Sequence, residues 1–166
     1  TKLRETPKKV VIIKKKSRNW MQKDVEFWSK YLISKKTLTI FAVTPISHYW
    51  INANRFSTPL GYAYRIGLKY KIYSPYEEIK WVSNTTKKHV QGFVQLPEKG
   101  NLVVLTSSLK DAMCMFEMGI SAVALQSEMQ MPEEAFIKAL EERFKKIVVF
   151  YDNDFNKVDN PGQTMA

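Results

Sequence analysis

The stretch "NLVVLTSSLKDAMCMFEMGISAVALQ" (residues 101–126) decides the fold, because its apolar pattern changes period twice. "NLVVLT" and "SAVALQ" are short continuous apolar runs, which are typical of strands buried on both faces of a sheet. Between them, apolar residues at positions 109, 112, 113 and 116 follow the spacing of one helix face. Ser108 suits the N-cap of this helix, and Gly119 suits its end. The stretch therefore predicts a strand, a helix and a second strand.

The residues that follow repeat this alternation. "PEEAFIKALEERF" (residues 132–144) predicts a second helix, with Pro132 in its first turn and Phe136, Leu140 and Phe144 on one face. "KIVVFYD" then predicts a third strand. Strands that alternate with helices in this way favour a parallel α/β sheet.

Acidic residues follow the predicted strands, at the edge where parallel sheets bind ligands. Asp111 lies in the first turn of the helix after strand one, and Glu128 follows strand two. Asp152 and Asp154 follow strand three. Four carboxylates at one edge supply the hard oxygen ligands that suit Mg²⁺ or Mn²⁺.

Other interpretations of "DND" (residues 152–154) compete with a metal site. Asp and Asn favour turns, so the motif is also compatible with a structural turn. A calcium loop starting at Asp152 needs Gly at its sixth position and Glu at its twelfth, where this chain has Lys157 and Gln163. A phosphatase of the haloacid dehalogenase type carries Asp-x-Asp after the first strand of its fold, with much chain following. The divalent-metal site and the turn stay open.

The first part of the chain has different patterns. Residues 1–23 carry a lysine-flanked apolar run that predicts an edge strand or a lead-in segment. "DVEFWSKYLISKKTLTIFAV" (residues 24–43) predicts two short helices, with Asp24 and Ser34 as their caps.

From Tyr49 to Leu96, apolar residues alternate with polar or basic ones, which predicts antiparallel strands and turns. One strand face is expected to carry Arg65, Lys69 and Lys71, with Trp81 and several tyrosines nearby in sequence.

Charge is divided unevenly along the chain. Residues 1–101 contain 20 of the 26 Lys and Arg residues and 6 of the 16 Asp and Glu residues, a net charge of +14. Residues 102–166 carry a net charge of −4. This asymmetry predicts that the basic part of the chain binds a polyanion and that the acidic part has a different function.

Composition bounds the class of protein. With 166 residues, 45% of them hydrophobic, the chain can bury a core in one domain or two small ones. No apolar run has membrane-spanning length and no apolar signal segment is present, so we expect no membrane and a cytosolic location. The single cysteine, Cys114, excludes an internal disulfide, and no Cys/His set suits zinc.

Together these motifs resemble a known family. Residues 102–166 resemble a Toprim domain, and "YKIYSP", "KWVSN", "VQGFVQLP" and "VVFYDNDFNKVDNPG" extend the likeness to phage-type DNA primases of the Toprim class. Phage primase-helicases and bacterial replicative primases are related. The resemblance implies a basic lead-in (residues 1–23), a basic α+β subdomain (24–101) and a Rossmann-like α/β Toprim subdomain (102–166). The Toprim fold normally continues past Ala166, so we expect a fragment or a partly ordered chain.

The resemblance also implies roles for residues. Asp152 and Asp154 would hold Mg²⁺ or Mn²⁺. The family's Glu-Gly-x-x-Asp motif places its Asp at Asp111, and its Glu falls on Ser107, which is a departure. Glu128 is the expected substitute, as a metal ligand, and the expected catalytic residues are Asp111, Glu128, Asp152 and Asp154. The basic residues expected to bind nucleotide or template are Arg65, Lys69, Lys71, Lys80 and Lys110.

The implied activity is metal-dependent synthesis of short RNA primers from ribonucleoside triphosphates on a single-stranded DNA template. The expected partners are a replicative helicase and an upstream zinc-binding module outside this chain. Two alternatives remain: a catalytically impaired Toprim module that binds single-stranded nucleic acid, and a Toprim nuclease.

Overall fold

A computed structural model describes residues 10–127 and 129–152, which form two sheets and four helices. None of these four helices is long and apolar enough to cross a membrane. In chain order the elements are β1 (Ile13–Ser17), α1 (Gln22–Ser29), α2 (Lys35–Ile40), β2 (Val43–Ile51), β3 (Asn54–Ile66), β4 (Lys69–Tyr73), β5 (Trp81–Ser83), β6 (Gly100–Thr106), α3 (Leu109–Glu117), β7 (Ala122–Ala124), α4 (Glu134–Glu141) and β8 (Phe144–Phe150).

The first sheet is antiparallel, with its strands in the order β1-β2-β3-β4-β5, and it curls on itself. Asn84, just after β5, donates a 3.3 Å hydrogen bond from Nδ2 to the carbonyl of Val11, just before β1. A bulge in β2 between Ile46 and His48 adds to the bend. Gly61 lies opposite this bulge, where a Cβ atom would collide with the Thr58 side chain.

The concave side of this sheet encloses its own apolar cluster, the inner core, formed by Ile13, Ile46, Tyr49, Ala63 and Ile72. Each of these residues is buried, and they come from β1, β2, β3 and β4. The strands of the basic half thus hold together around side chains none of which comes from the parallel sheet.

The convex side of the same sheet packs against helices in a second cluster, the shared core. It joins Trp28 of α1, Tyr62 and Tyr64 of β3, and Leu109 and Met113 of α3. The rings of Trp28 and Tyr62 meet edge to face, with centroids 5.0 Å apart. The division into subdomains stays a prediction, but the two parts of the chain are packed around one set of side chains.

The second sheet is parallel, as predicted, with β6 in the centre and the order β7-β6-β8. The predicted strand–helix–strand–helix–strand alternation is therefore confirmed. Ser108 caps α3, since its Oγ accepts a hydrogen bond from the Asp111 N–H, and Gly119 follows the helix with a φ of +75°.

Three local predictions need correction. Helix α4 ends at Glu141, and Phe144 is the first residue of β8, where it pairs with Gly100. Pro132 precedes the α4 N-cap, which is Glu133. Asp24 is not an N-cap: it is the third residue of α1 and accepts a 2.8 Å hydrogen bond from the backbone N–H of Met21, whereas Ser34 caps α2 as predicted.

Asp24 is fully buried and has further partners. Two guanidinium nitrogens of Arg18 lie 2.6 and 2.7 Å from its two carboxylate oxygens, and the Tyr62 hydroxyl donates at 2.9 Å. Burial alone would raise the pKa of Asp24, but the hydrogen bonds from Arg18, Met21 and Tyr62 outweigh it and lower the pKa. The segment before α1 is thereby fixed to β3.

Candidate functional site

The carboxyl ends of the three parallel strands lie side by side. Thr106, the last residue of β6, pairs with Ala124 of β7 and Phe150 of β8. The residues that follow these three positions therefore emerge at one edge of the sheet, which is the place predicted for Asp152. Ligands of open α/β sheets bind at this edge.

Ser107 and Asp152 are joined directly at this edge. The Ser107 hydroxyl accepts a 2.8 Å hydrogen bond from the backbone N–H of Asp152. The Asp152 side chain is exposed, and Ser107 is half-buried. Ser107 therefore holds the chain where it leaves β8, and it does so with a hydroxyl group at the position expected to carry the family's glutamate.

Asp111 lies in the first turn of α3 and is held by Ser108. The Ser108 hydroxyl donates a 2.6 Å hydrogen bond to Oδ2 of Asp111, while its oxygen accepts from the Asp111 backbone N–H at 3.3 Å. Asp111 also acts electrostatically on the buried Tyr64. Burial, the neighbouring tyrosine hydroxyls and then Asp111 raise the pKa of Tyr64 well above its usual value.

Lys71 connects the antiparallel sheet to the carboxyl end of β7. Its Nζ donates a 3.1 Å hydrogen bond to the carbonyl of Gln126, two residues past the end of β7. The same ammonium lies 4.8 Å from the ring centroid of Trp81. Burial lowers the pKa of Lys71 to about 8. In the described part of the chain Lys71 has no salt bridge, so the contacts that hold its ammonium group are those with the Gln126 carbonyl and the Trp81 ring.

Trp81 provides an aromatic surface beside Lys71. Its ring stacks on Tyr73 with a centroid distance of 4.2 Å and an interplanar angle of 15°. Tyr73 is buried, whereas Trp81 is 41% exposed. Of the aromatic residues close to Lys71 in sequence, Trp81 has an accessible ring, Tyr73 supports it, and Tyr70 packs against the inner core.

Arg65 does not share a face with Lys71, so that part of the prediction is wrong. Arg65 pairs with Tyr70 across the strands, while Lys71 pairs with Tyr64, and neighbouring positions on a strand point to opposite sides. Lys69, two residues before Lys71, lies on the same side as Lys71. The role predicted for Arg65 stays a prediction.

The remaining basic residues, Lys80 and Lys110, have local contacts of their own. Lys80 is exposed just before β5, and its backbone carbonyl accepts from the Ser74 N–H at 2.9 Å. Lys110 lies with its Nζ 4.1 Å from the ring centroid of Tyr31, so it is directed towards the loop after α1. Their predicted contacts with phosphate stay predictions.

The predicted metal site is only partly covered by the structure. Glu128 and Asp154 lie outside the described residues, and within residues 10–127 and 129–152 no three His, Cys, Asp or Glu side chains form a metal-binding group. The described part contributes the carboxylates of Asp111 and Asp152. Carboxylate oxygens are the donors that Mg²⁺ prefers, so the chemistry of these residues fits the predicted ion.

Sequence reasoning missed Gln91. Its backbone forms an antiparallel bridge with Ala124, and its Nε2 donates a 2.6 Å hydrogen bond to the Leu125 carbonyl. Gln91 thereby fixes the end of β7, including the Gln126 carbonyl that binds Lys71. The one sequence signal that could have pointed to Gln91 is a polar side chain directly after the apolar Val90. Gly92, with a φ of +84°, allows the chain to turn after Gln91.

Comparison with known proteins supports a specific fold. No protein-family model matches the chain, and no curated protein matches it in sequence. A DnaG primase catalytic domain bound to ssDNA is similar in structure, with a TM-score of 0.60 and 12% identity over 84% of this chain and 58% of that chain. The primase fragment of the bacteriophage T7 primase-helicase protein has a TM-score of 0.52 and 14% identity over 82% of this chain and 55% of that one.

A third similar structure contains the bacteriophage T7 lagging-strand DNA polymerase interacting with primase domains of two gp4 subunits bound to an RNA/DNA hybrid and dTTP. Its TM-score is 0.52, with 14% identity over 92% of this chain and 71% of the matched chain. This chain spans a little more than half the length of the other two matched structures. At such low identity, the likeness establishes the fold. The chain therefore has a primase-type fold of the kind found in phage and bacterial primases.

Proposed function

We propose that this chain is the catalytic core of a primase, a nucleotidyltransferase that joins ribonucleotides on a single-stranded DNA template. The observation that carries the proposal is the position of Lys71 between the Trp81 ring and the carboxyl end of β7. There a half-buried cation and an accessible ring lie at the edge of the parallel sheet from which Asp152 emerges. The primase-type fold and the basic first half of the chain agree with this activity.

In the proposed reaction, the 3′-hydroxyl oxygen of one nucleotide attacks the α-phosphorus of a nucleoside triphosphate. A new P–O bond forms, the bond to the pyrophosphate group breaks, and the hydroxyl proton passes to solvent. Negative charge on the phosphates must be balanced while this happens.

Lys71 suits the binding of the triphosphate. Burial disfavours its charged form, as the lowered pKa indicates, so a nearby phosphate stabilises the ammonium more than it would a solvated lysine. Trp81 would stack on the base, and Lys69, on the same side of β4, would contact a phosphate. We extend the same role, more peripherally, to Arg65, Lys80 and Lys110.

Asp152, with Asp154 and Glu128 from the parts outside the described residues, would hold Mg²⁺ or Mn²⁺ in a Toprim-type site. The ion would supply positive charge to the α-phosphate and to the leaving pyrophosphate. Ser107 fixes the Asp152 backbone, and Ser108 orients Asp111 beside the same edge. We further propose that a replicative helicase and a zinc-binding module outside this chain act with it, as in primases of the phage type.

Ser107 supports one alternative function. If the glutamate that it replaces is indispensable, the chain is a nucleic-acid-binding module without catalysis. A nuclease of the same fold is a further outcome that the assay must distinguish.

The test is dinucleotide synthesis from labelled ribonucleotides on a single-stranded template, with Mg²⁺ or Mn²⁺, by the wild type and the Asp152→Asn/Asp154→Asn double variant. We expect a metal-dependent product from the wild type and at least a 100-fold loss in the variant. Template binding without product would favour the binding module, and template cleavage without nucleotides would favour the nuclease. Equal synthesis by both proteins would overturn the proposed site.

A further inference from the structure

A group of basic and aromatic residues lies on the convex side of the antiparallel sheet, far along β1, β2 and β3 from Lys71. This outer patch consists of Lys14, Lys16, His48, Trp50 and Arg55. The strand register brings them together, because Lys16 pairs with His48, Lys14 pairs with Trp50, and Trp50 pairs with Arg55. Residues next to them in the chain, such as Ile13 and Tyr49, belong to the inner core instead.

The outer patch concentrates positive charge. A guanidinium nitrogen of Arg55 lies 2.6 Å from Nε2 of His48, and Nδ1 of His48 lies 3.0 Å from the Ser47 hydroxyl. In the part of the chain that the structure describes, neither Lys14, Lys16 nor Arg55 forms a salt bridge with a carboxylate. Cations held close together without a carboxylate repel one another, and a bound anion relieves that repulsion.

The aromatic members of the outer patch are accessible rather than part of a core. Trp50 and His48 are half-buried, with ring centroids 6.4 Å apart and an interplanar angle of 36°. Neither belongs to the apolar clusters of the described residues. Flat rings among cations on an open strand surface are the combination that binds single-stranded nucleic acid: the rings stack on bases and the cations contact phosphates.

The outer patch is separate from the strand-end site. Arg55 pairs with Trp50, and Tyr64, the partner of Lys71, pairs with Val43, seven positions away on β2, which at ~3.3 Å per residue corresponds to roughly 20–25 Å. Helix α1 packs over Tyr62 between the two regions, with the Phe27 and Tyr62 rings 5.6 Å apart. At the ~3.4 Å spacing of stacked bases, about seven nucleotides span this distance, and an extended strand needs fewer.

We propose that the outer patch binds single-stranded DNA outside the site of nucleotide joining, and so holds a flanking part of the template. That the bound strand serves as template rests on the proposed primase function. Binding itself does not, because it depends only on the charges and rings of β1, β2 and β3.

The test compares Lys16→Ala/Arg55→Ala with a matched control, Lys145→Ala/Lys146→Ala, in binding to a fluorescent 25-nucleotide single strand. Lys145 and Lys146 are exposed lysines near the amino end of β8, away from the strand-end site. We expect the outer-patch variant to bind about 10-fold more weakly. Its salt slope should also fall by about 1.4, since each lost phosphate contact on a single strand removes about 0.7. The control should change less than 2-fold, and circular dichroism should show both variants folded.

Template length and strand type separate the possible results. On a three-nucleotide template, which is too short to reach the outer patch even when extended, primer synthesis by the outer-patch variant should equal that of the wild type. On a 25-nucleotide template it should fall. Equal losses in the two double variants, or an equal loss for duplex DNA of the same length, would overturn the inference. If the wild type makes no primer at all, the proposed function fails, while the binding comparison still decides the role of the outer patch.

Discussion

Ser107 and Asp152 are linked by a 2.8 Å hydrogen bond from the Asp152 backbone to the Ser107 hydroxyl, across the carboxyl ends of the two neighbouring strands β6 and β8. The serine thus has a defined structural task at the place where its family resemblance implies a glutamate. Its contribution is to set the direction in which the chain carries Asp152 away from the sheet.

Replacing Ser107 with alanine removes this hydrogen bond. We expect the free energy of unfolding to fall by about 1 kcal/mol. Primer synthesis should fall at least 5-fold, since Asp152 is no longer held. Urea unfolding and the dinucleotide assay measure the two effects. Ser57→Ala, an exposed serine on β3, is the control. Full activity in Ser107→Ala would show that Asp152 needs no such support.

The proposed contact of Lys71 with the triphosphate predicts that nucleotide binding depends on pH. In the free protein the pKa of Lys71 is about 8, and a bound triphosphate raises it, so binding takes up a proton. The affinity for a nucleoside triphosphate should therefore fall as the pH rises through 8. Titrations between pH 7 and 9.5 measure this. Lys71→Arg, which stays charged, should give a flatter profile, and an identical slope in both proteins would rule out Lys71 as the cause.

The same pKa affects stability with the opposite sign. Because folding lowers the pKa of Lys71 from 10.5 to about 8, the unfolded chain binds more protons between these values, and stability rises with pH there. Lys71→Met should remove this part of the pH dependence. Denaturant titrations at pH 7.5 and 10 measure the difference, with Lys69→Met on the same strand as the control.

Trp81 should contribute stacking energy to nucleotide or template binding. Trp81→Ala is expected to cost ~1–3 kcal/mol of affinity, the usual range for loss of a base-stacking ring. It should raise KM more than it lowers kcat. Trp81→Phe should recover most of the loss. If alanine and phenylalanine variants bind equally well, the ring has no contact with a base.

Asp24 is expected to be the most sensitive carboxylate of the basic half. Asp24→Ala leaves Arg18 and the Tyr62 hydroxyl without their acceptor in a buried place, and such losses cost ~3–5 kcal/mol. Glu26→Gln, on the exposed side of the same helix, should change stability by less than ~0.5 kcal/mol. Urea unfolding of the two variants measures the difference, and similar midpoints would contradict the importance of the network.

Much of the parallel sheet could be predicted from sequence, because the periodicity of apolar residues and the helix-capping residues indicate the same elements there. The apolar runs of β6 and β7, Ser108 as N-cap and Gly119 as the end of α3 all act locally, so their signals are readable along the chain. Phe144 was misassigned for the opposite reason. Its spacing from Leu140 fits a helix face, but pairing with Gly100 places it in β8, and pairing partners cannot be read from one segment.

The site illustrates the same limit. The strand ends predicted the edge where Asp152 emerges, yet the contact between Lys71 and the Gln126 carbonyl joins residues 55 positions apart. The prediction for Arg65 is wrong because a turn at residues 67–68 separates it from Lys69, and the alternation of strand faces does not continue through a turn. The strand register, not the spacing of basic residues, determines which of them share a side.

The shared core has a consequence for the proposed catalysis. Because Tyr62 and Tyr64 pack with Leu109 and Met113, folding itself sets the position of the strand that carries Lys71 relative to the parallel sheet. The entropy of bringing basic and acidic groups together is then lost when the chain folds rather than when a nucleotide binds. A substitution that loosens the shared core would therefore slow the proposed reaction, even though the substituted residue does not contact a substrate.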